Sequence, residues 1–195
     1  MGNICNKEPA VAGIVDNVPA YYNRGINFRS NYVTFDNRQV YTGVRFYTIH
    51  YYFRFQCVEF ARRYLIQTKG VVFGDVGCAY HIFDLNTVTD LVTQQQRQFQ
   101  SIPQGSSIPP KKGDLVIYQK SGKQWWGHVA VVTNVDGNLI DLAEQNYDED
   151  WDSQSYARQV LLKKEGDKYF LTNIRQYKPH AWDLNEVIIG WKRAT

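Results

Sequence analysis

The apolar positions of this 195-residue chain change rhythm part-way along, and the change predicts its architecture. Val58, Ala61 and Leu65 fall at i, i+3 and i+7, and Phe60 and Tyr64 widen the stripe, so the stretch from Cys57 predicts an amphipathic helix. Lys69 puts a cation near the negative end of that helix, and Gly70 stops it. Residues 70–73 read as a short extended piece. Residues 78–85 begin a second helix, which continues or restarts through 88–91. Residues 94–100 are polar and glutamine-rich, and 101–110, with their Gly, Ser and Pro, form a loop. From Asp114 onward the pattern is that of strands: 115–118, 128–135, 139–144, 159–162, 168–171 and 187–191. Asp136-Gly137-Asn138 and Glu165-Gly166-Asp167 mark hairpin turns. In the first fifty residues the periodicity is weak. Residues 31–35 and 39–42 alternate like strands and are expected to pack over the Cys57 helix as one wall of a cleft.

This order predicts an α+β domain with a helical N-terminal half and an antiparallel β-sheet in the C-terminal half. The length suits one domain with a real core. Apolar residues at 44% and charged residues at 21% describe a globular chain, not a disordered one. A net charge of +3, with Lys and Arg spread along the chain, gives no basis for a nucleic-acid partner. Three scattered cysteines (Cys5, Cys57, Cys78) do not make a disulfide framework, and the absence of CxxC and HExxH motifs gives no metal site. An odd cysteine count and no signal-like or transmembrane-length apolar run point to a reducing, cytoplasmic compartment. Gly2 with Cys5 matches an N-terminal acylation motif only in part, because Asn6 stands where Ser or Thr is usual. Membrane contact is expected only if those two residues carry lipid.

The candidate chemistry begins at the helix start. A thiol at the first turn faces the positive end of the helix dipole and unpaired backbone N–H groups, which favour a reactive thiolate. Gln56 and the Cys57 amide can offer two donors to a developing oxyanion. A lone cysteine on a helix is usually just a small buried residue, so the other residues have to carry the case. The hairpin at 136–138 supplies them. A three-residue loop pairs Val135 with Leu139 and sets His128 opposite Asn146; a two-residue loop sets it opposite Gln145. Either way His128 lies beside Glu144-Gln145-Asn146, and Glu144 and Asn146 share a face. Cysteine, then strand histidine, then asparagine on the paired strand is the papain-like order of nucleophile, base and orienter.

Four blocks (residues 56–63, 71–77, 127–132 and 143–146, with 188–191 as support) resemble the amidase domain of glutathionylspermidine synthetase/amidase. That domain belongs to the CHAP group of the papain-like NlpC/P60 cysteine amidohydrolases. The resemblance covers nearly the whole chain, 1–195, with residues 1–30 a poorly matched extension. It implies hydrolysis of the amide joining the glycine of glutathione to spermidine, without a cofactor. Carried over by motif, Cys57 is the nucleophile and His128 the base; Asn146, favoured over Glu144, orients the imidazole, and Gln56 completes the oxyanion hole. Arg62, Trp126 and Gln145 are the expected substrate contacts. The acidic residues Asp148, Glu149, Asp150 and Asp152 are candidates to meet a polyamine. In the bifunctional family a synthetase follows this domain, and this sequence stops at Thr195, so hydrolysis alone is expected. Two other readings remain open: a peptidoglycan-cleaving CHAP enzyme, and a catalytically silent subunit of a larger protein assembly.

Overall fold

The structure, a computed structural model, describes residues 10–22, 32–43, 56–121, 125–147, 151–153, 155–174 and 186–195. Its strands are β1 (Val11–Val15), β2 (Val18–Tyr21), β3 (Tyr32–Phe35), β4 (Arg38–Tyr41), β5 (Val71–Phe73), β6 (Thr87–Asp90), β7 (Gln96–Pro103), β8 (Leu115–Tyr118), β9 (His128–Asp136), β10 (Leu139–Ala143), β11 (Arg158–Glu165), β12 (Lys168–Asn173) and β13 (Ile188–Ala194). One α-helix, α1 (Cys57–Lys69), lies among the described residues. Nine strands pair antiparallel in the order β12-β11-β10-β9-β8-β13-β7-β6-β5, and β1–β2 and β3–β4 are separate hairpins.

The expected cysteine helix is present. Gln56 precedes it in extended conformation, and Gly70 ends it in the left-handed region at φ 65°, its N–H returning to Ile66 and Leu65. Val58, Phe60, Ala61, Tyr64 and Leu65 are all buried, against Val15, Val18 and Ala20 of the first hairpin and Leu115, Ile117, Val129 and Val131 of the sheet. Fully burying Phe60 or Leu65 contributes about 1.5–3 kcal/mol each. The alternate residues of the same strands, Val116, Ala130 and Val132, join Val160, Leu171 and Trp191 in a second core on the other face. That is why β8 is buried throughout and reads as a continuous apolar run. The sheet curls to enclose this second core: in the turn after β7, Gly105 N–H donates to Tyr169 O, Tyr169 N–H to Ser106 O, and Gln104 pairs with the Leu171 backbone.

Among the described residues the expectation of a helical N-terminal half does not hold. Residues Ala79–Asp84 form only a 3-10 helix, and the chain then runs into β6 and β7. Thr87, Val88 and Thr89 are β-branched and prefer the pleated sheet. The glutamine-rich stretch is mostly strand, and the loop expected at 101–110 starts later, because β7 runs on to Pro103: Gln96 and Gln98 are exposed strand residues, and Phe99 carries the burial. The two early hairpins turn on Asp16-Asn17 and Asp36-Asn37, all four residues at φ between 46° and 63°, the two-residue turn that matches strand twist. The segment after β4 is bonded to α1, through Thr42 Oγ1 to Glu59 and Arg62 to Gly43 O. No helix among the described residues is long and apolar enough to cross a membrane. Gly2, Cys5, Asp148, Glu149 and Asp150 lie outside the described residues.

Candidate active site

The site forms where the start of α1 meets the start of β9. Cys57 is the first residue of the helix and is half-buried. The first helical hydrogen bond is Phe60 N–H to Gln56 O, so the preceding N–H groups have no intrahelical acceptor. Gly127 makes the approach of β9 possible. Its φ is 63°, and a Cβ there would stand 2.5 Å from the Tyr118 carbonyl oxygen. His128 follows, 2% exposed, paired in register with Tyr118.

His128 Nε2 lies 2.8 Å from Glu144 Oε2. Cys57, at the start of α1, is close enough to the imidazole to act on its charge. Burial alone would push the histidine's pKa down. The neighbouring Cys57 and the hydrogen-bonded Glu144 carboxylate overcome this and raise it to about 10. Burial works in the opposite sense on Glu144, but Arg158 and His128 hold its carboxyl below the usual range. The rings of Tyr118 and Tyr147 stand 5.8 and 5.0 Å from the imidazole.

The preference for Asn146 as orienter is therefore corrected in geometry: Glu144 takes the imidazole, and Asn146 Nδ2 donates to Gln56 Oε1 at 2.7 Å. The physical reason lies where the hairpin ends. Its loop has two residues, pairing Asp136 with Leu139, and a bulge at Thr133 restores the register in which Val131 faces Ala143, the register that would set His128 opposite Asn146 if the ladder ran on. Pairing stops at Ala143. Glu144 turns inward with no exposed surface, while Asn146 adopts φ 58° and stays at the surface.

Two expected substrate contacts are spent inside the protein. Arg62, 3% exposed, donates to the carbonyls of Gly43 and Phe73 and pairs with Asp75 at 2.7 Å. Gln145 is buried between Glu59, Arg63 and the Tyr21 N–H. Arg63 is paired with Glu59 one turn earlier and bonded to the Pro19 carbonyl, so this network ties the first hairpin to the helix and to the strand carrying the site. Trp126 remains exposed beside Gly127, with its carbonyl held by the Ala79 N–H, and Trp125 is more exposed still. Asp152 closes a local turn through its N–H to Ala157 O. Sequence alone does not point to Tyr118, Tyr147 and Arg158, which contact the His128–Glu144 pair, or to Glu186 behind them. The only sequence hint was Arg158, a charge placed just before the apolar Val160-Leu161-Leu162. No group of three or more His, Cys, Asp or Glu residues suited to a metal ion occurs among the described residues.

Residues 46–146 match the CHAP domain family, more than half of the chain. The chain belongs to that family. It is 34% identical over 177 residues to trypanothione synthetase of Crithidia fasciculata, covering 89% of this chain and 24% of that protein. It is 45% identical over 94 residues to the bifunctional glutathionylspermidine synthetase/amidase of Escherichia coli (strain K12), covering 48% of this chain and 15% of that protein. Glutathionylspermidine synthase of Crithidia fasciculata is 30% identical over 114 residues, 56% of this chain and 16% of that protein. The matched portion thus spans a quarter or less of each of these relatives.

Proposed function

We propose that this CHAP protein is a cysteine amidohydrolase that cleaves the amide between the glycine of glutathione and spermidine, through Cys57, His128 and Glu144. The observation that carries the reading is the buried His128–Glu144 contact beside a cysteine that starts a helix. The family and the identity to a glutathionylspermidine synthetase/amidase support the substrate class.

His128 takes the thiol proton, and the Cys57 sulfur adds to the amide carbonyl carbon. The oxyanion is met by the Cys57 N–H and the Gln56 side-chain amide. The Asn146 bond to Gln56 Oε1 leaves the NH2 end of that amide for the substrate. Collapse breaks the C–N bond; the proton on His128 leaves with the amine, and the acyl group stays as a thioester on Cys57. Water then gives His128 a proton and attacks the thioester, releasing the carboxylate and the thiol. Glu144 stays ionised throughout, orients the ring and stabilises its charged form. Trp126 serves as a contact at the rim, while Arg62 and Gln145 build the frame.

The direct test is release of free spermidine from glutathionylspermidine by the purified protein. The expected result is turnover by the wild type and none by Cys57→Ala, with the helix retained. No release by the wild type, or equal release by the variant, overturns the reading.

A further inference from the structure

The His128–Glu144 pair is the middle of a longer buried line of charge. Glu144 Oε1 lies 2.9 Å from Arg158 Nε, with the N–H not aligned on it, so this contact is charge against charge. Arg158, at the start of β11, pairs through Nη1 with Glu186 Oε2 at 2.9 Å. Tyr147 Oη donates to the same Glu186 oxygen at 3.1 Å. The guanidinium rests against the faces of Tyr147 and Tyr118, 4.1 and 4.8 Å from their centroids. These are the two rings that stand against His128. Arg158 therefore shares with His128 both its carboxylate partner and its aromatic walls.

We propose that Arg158 is a positioning residue for the Cys57–His128 pair, holding the Glu144 carboxylate ionised and aimed at His128. A carboxylate with no exposed surface is costly to keep charged beside a single imidazole, with which it can share one proton. A permanent cation on its other oxygen removes that option. Glu186 and Tyr147 hold the cation from behind, so that signs alternate from a protonated His128 through Glu144 and Arg158 to Glu186. These, with Cys57 and Tyr118, are the charged and titratable groups facing the line among the described residues. The same geometry bears on orientation, because an arginine fixed on two carboxylates and two rings has little freedom to let Glu144 drift. The assignment rests on the amidohydrolase reading.

The test is the pH profile of Cys57 alkylation by iodoacetamide, followed by mass spectrometry of its peptide, which needs no substrate. Arg158→Met is expected to move the half-maximal rate up by about one pH unit, because a cation that favours the thiolate is gone. The charge-balanced Arg158→Met/Glu186→Gln protein leaves no second unpaired carboxylate and is expected to move it in the same direction by less. Arg158→Lys keeps the charge but not the planar fork, and should fall between wild type and Arg158→Met. In every variant that keeps its near-UV circular dichroism, a profile superimposable on wild type makes Arg158 merely structural and overturns the proposal, even where the melting temperature falls. If wild-type Cys57 is alkylated no faster than Cys78 at pH 6, the amidohydrolase reading fails and this assignment falls with it. If wild-type Cys57 is fast and the variants are unshifted, only the Arg158 assignment fails.

Discussion

Glu144 reaches His128 across the open end of the sheet, Oε2 to Nε2 at 2.8 Å, with both side chains almost wholly enclosed. A carboxylate in this place does more than an amide. It orients the ring and also favours its charged form, which a thiolate beside it needs.

Glu144→Gln should therefore lower kcat by about a hundredfold to ten-thousandfold with a small change in KM, since it keeps the shape and removes the charge. Asn146→Ala, which leaves the His128–Glu144 contact untouched, should cost less. Steady-state kinetics on both variants decide the matter. Turnover spared at Glu144 and lost at Asn146 would return the third role to the amide.

The pH dependence of stability follows from the same pair. The pKa of His128 is raised from 6.5 to about 10, so its contribution is full below 6.5 and is lost as pH rises through about 10. Glu144 has the opposite sign. Its pKa is lowered from 4.5, so its contribution is present above that value and lost as pH falls through the folded one. Denaturation midpoints of wild type and His128→Asn should differ most near pH 6, and the gap should close toward pH 10. A gap that grows on the alkaline side would mean that His128 is buried neutral.

What the sequence displays and what it hides divide by range. The Cys57 helix, β8 and the β9–β10 hairpin were legible because apolar period and turn residues are local signals. The placement of His128 near Glu144 was legible too, because a hairpin turns sequence distance into spatial distance. The choice between Glu144 and Asn146 was not. It depends on where the ladder ends, at Ala143, and that has no signature in the pattern. β7 was hidden because its outward residues are glutamines, whose exposure in a strand looks like that of a loop. Arg62 and Gln145 were misplaced for another reason: their buried partners, Gly43, Phe73, Glu59 and Tyr21, come from distant elements.

Those partners make Arg62 a test of frame against pocket. It supplies donors to two backbone carbonyls, pairs with Asp75 and lies 5.1 Å from the Phe73 ring centroid. Arg62→Ala should lower unfolding free energy by about 3 kcal/mol, as removal of a buried charged donor does. The KM of the folded protein should hardly change. A large rise in KM at unchanged stability would put the guanidinium back on the substrate.

The last expectation concerns the pair Asn146 and Gln56, joined Nδ2 to Oε1 at 2.7 Å. A glutamine that serves an oxyanion must present its NH2 end, and a free amide can turn either way round. Asn146 breaks that ambiguity by donating to the oxygen end, which then faces away from the substrate. Gln56→Ala removes the donor and should cost about a hundredfold to a thousandfold in kcat. Asn146→Ala leaves the donor present but unheld, and should cost roughly tenfold, the worth of about one net hydrogen bond. The decisive measurement is the double variant. If Asn146 acts through Gln56, the second substitution adds almost nothing once the first is made, and the two losses are far from additive. Full additivity in kcat would mean that Asn146 works on the reaction by a route of its own.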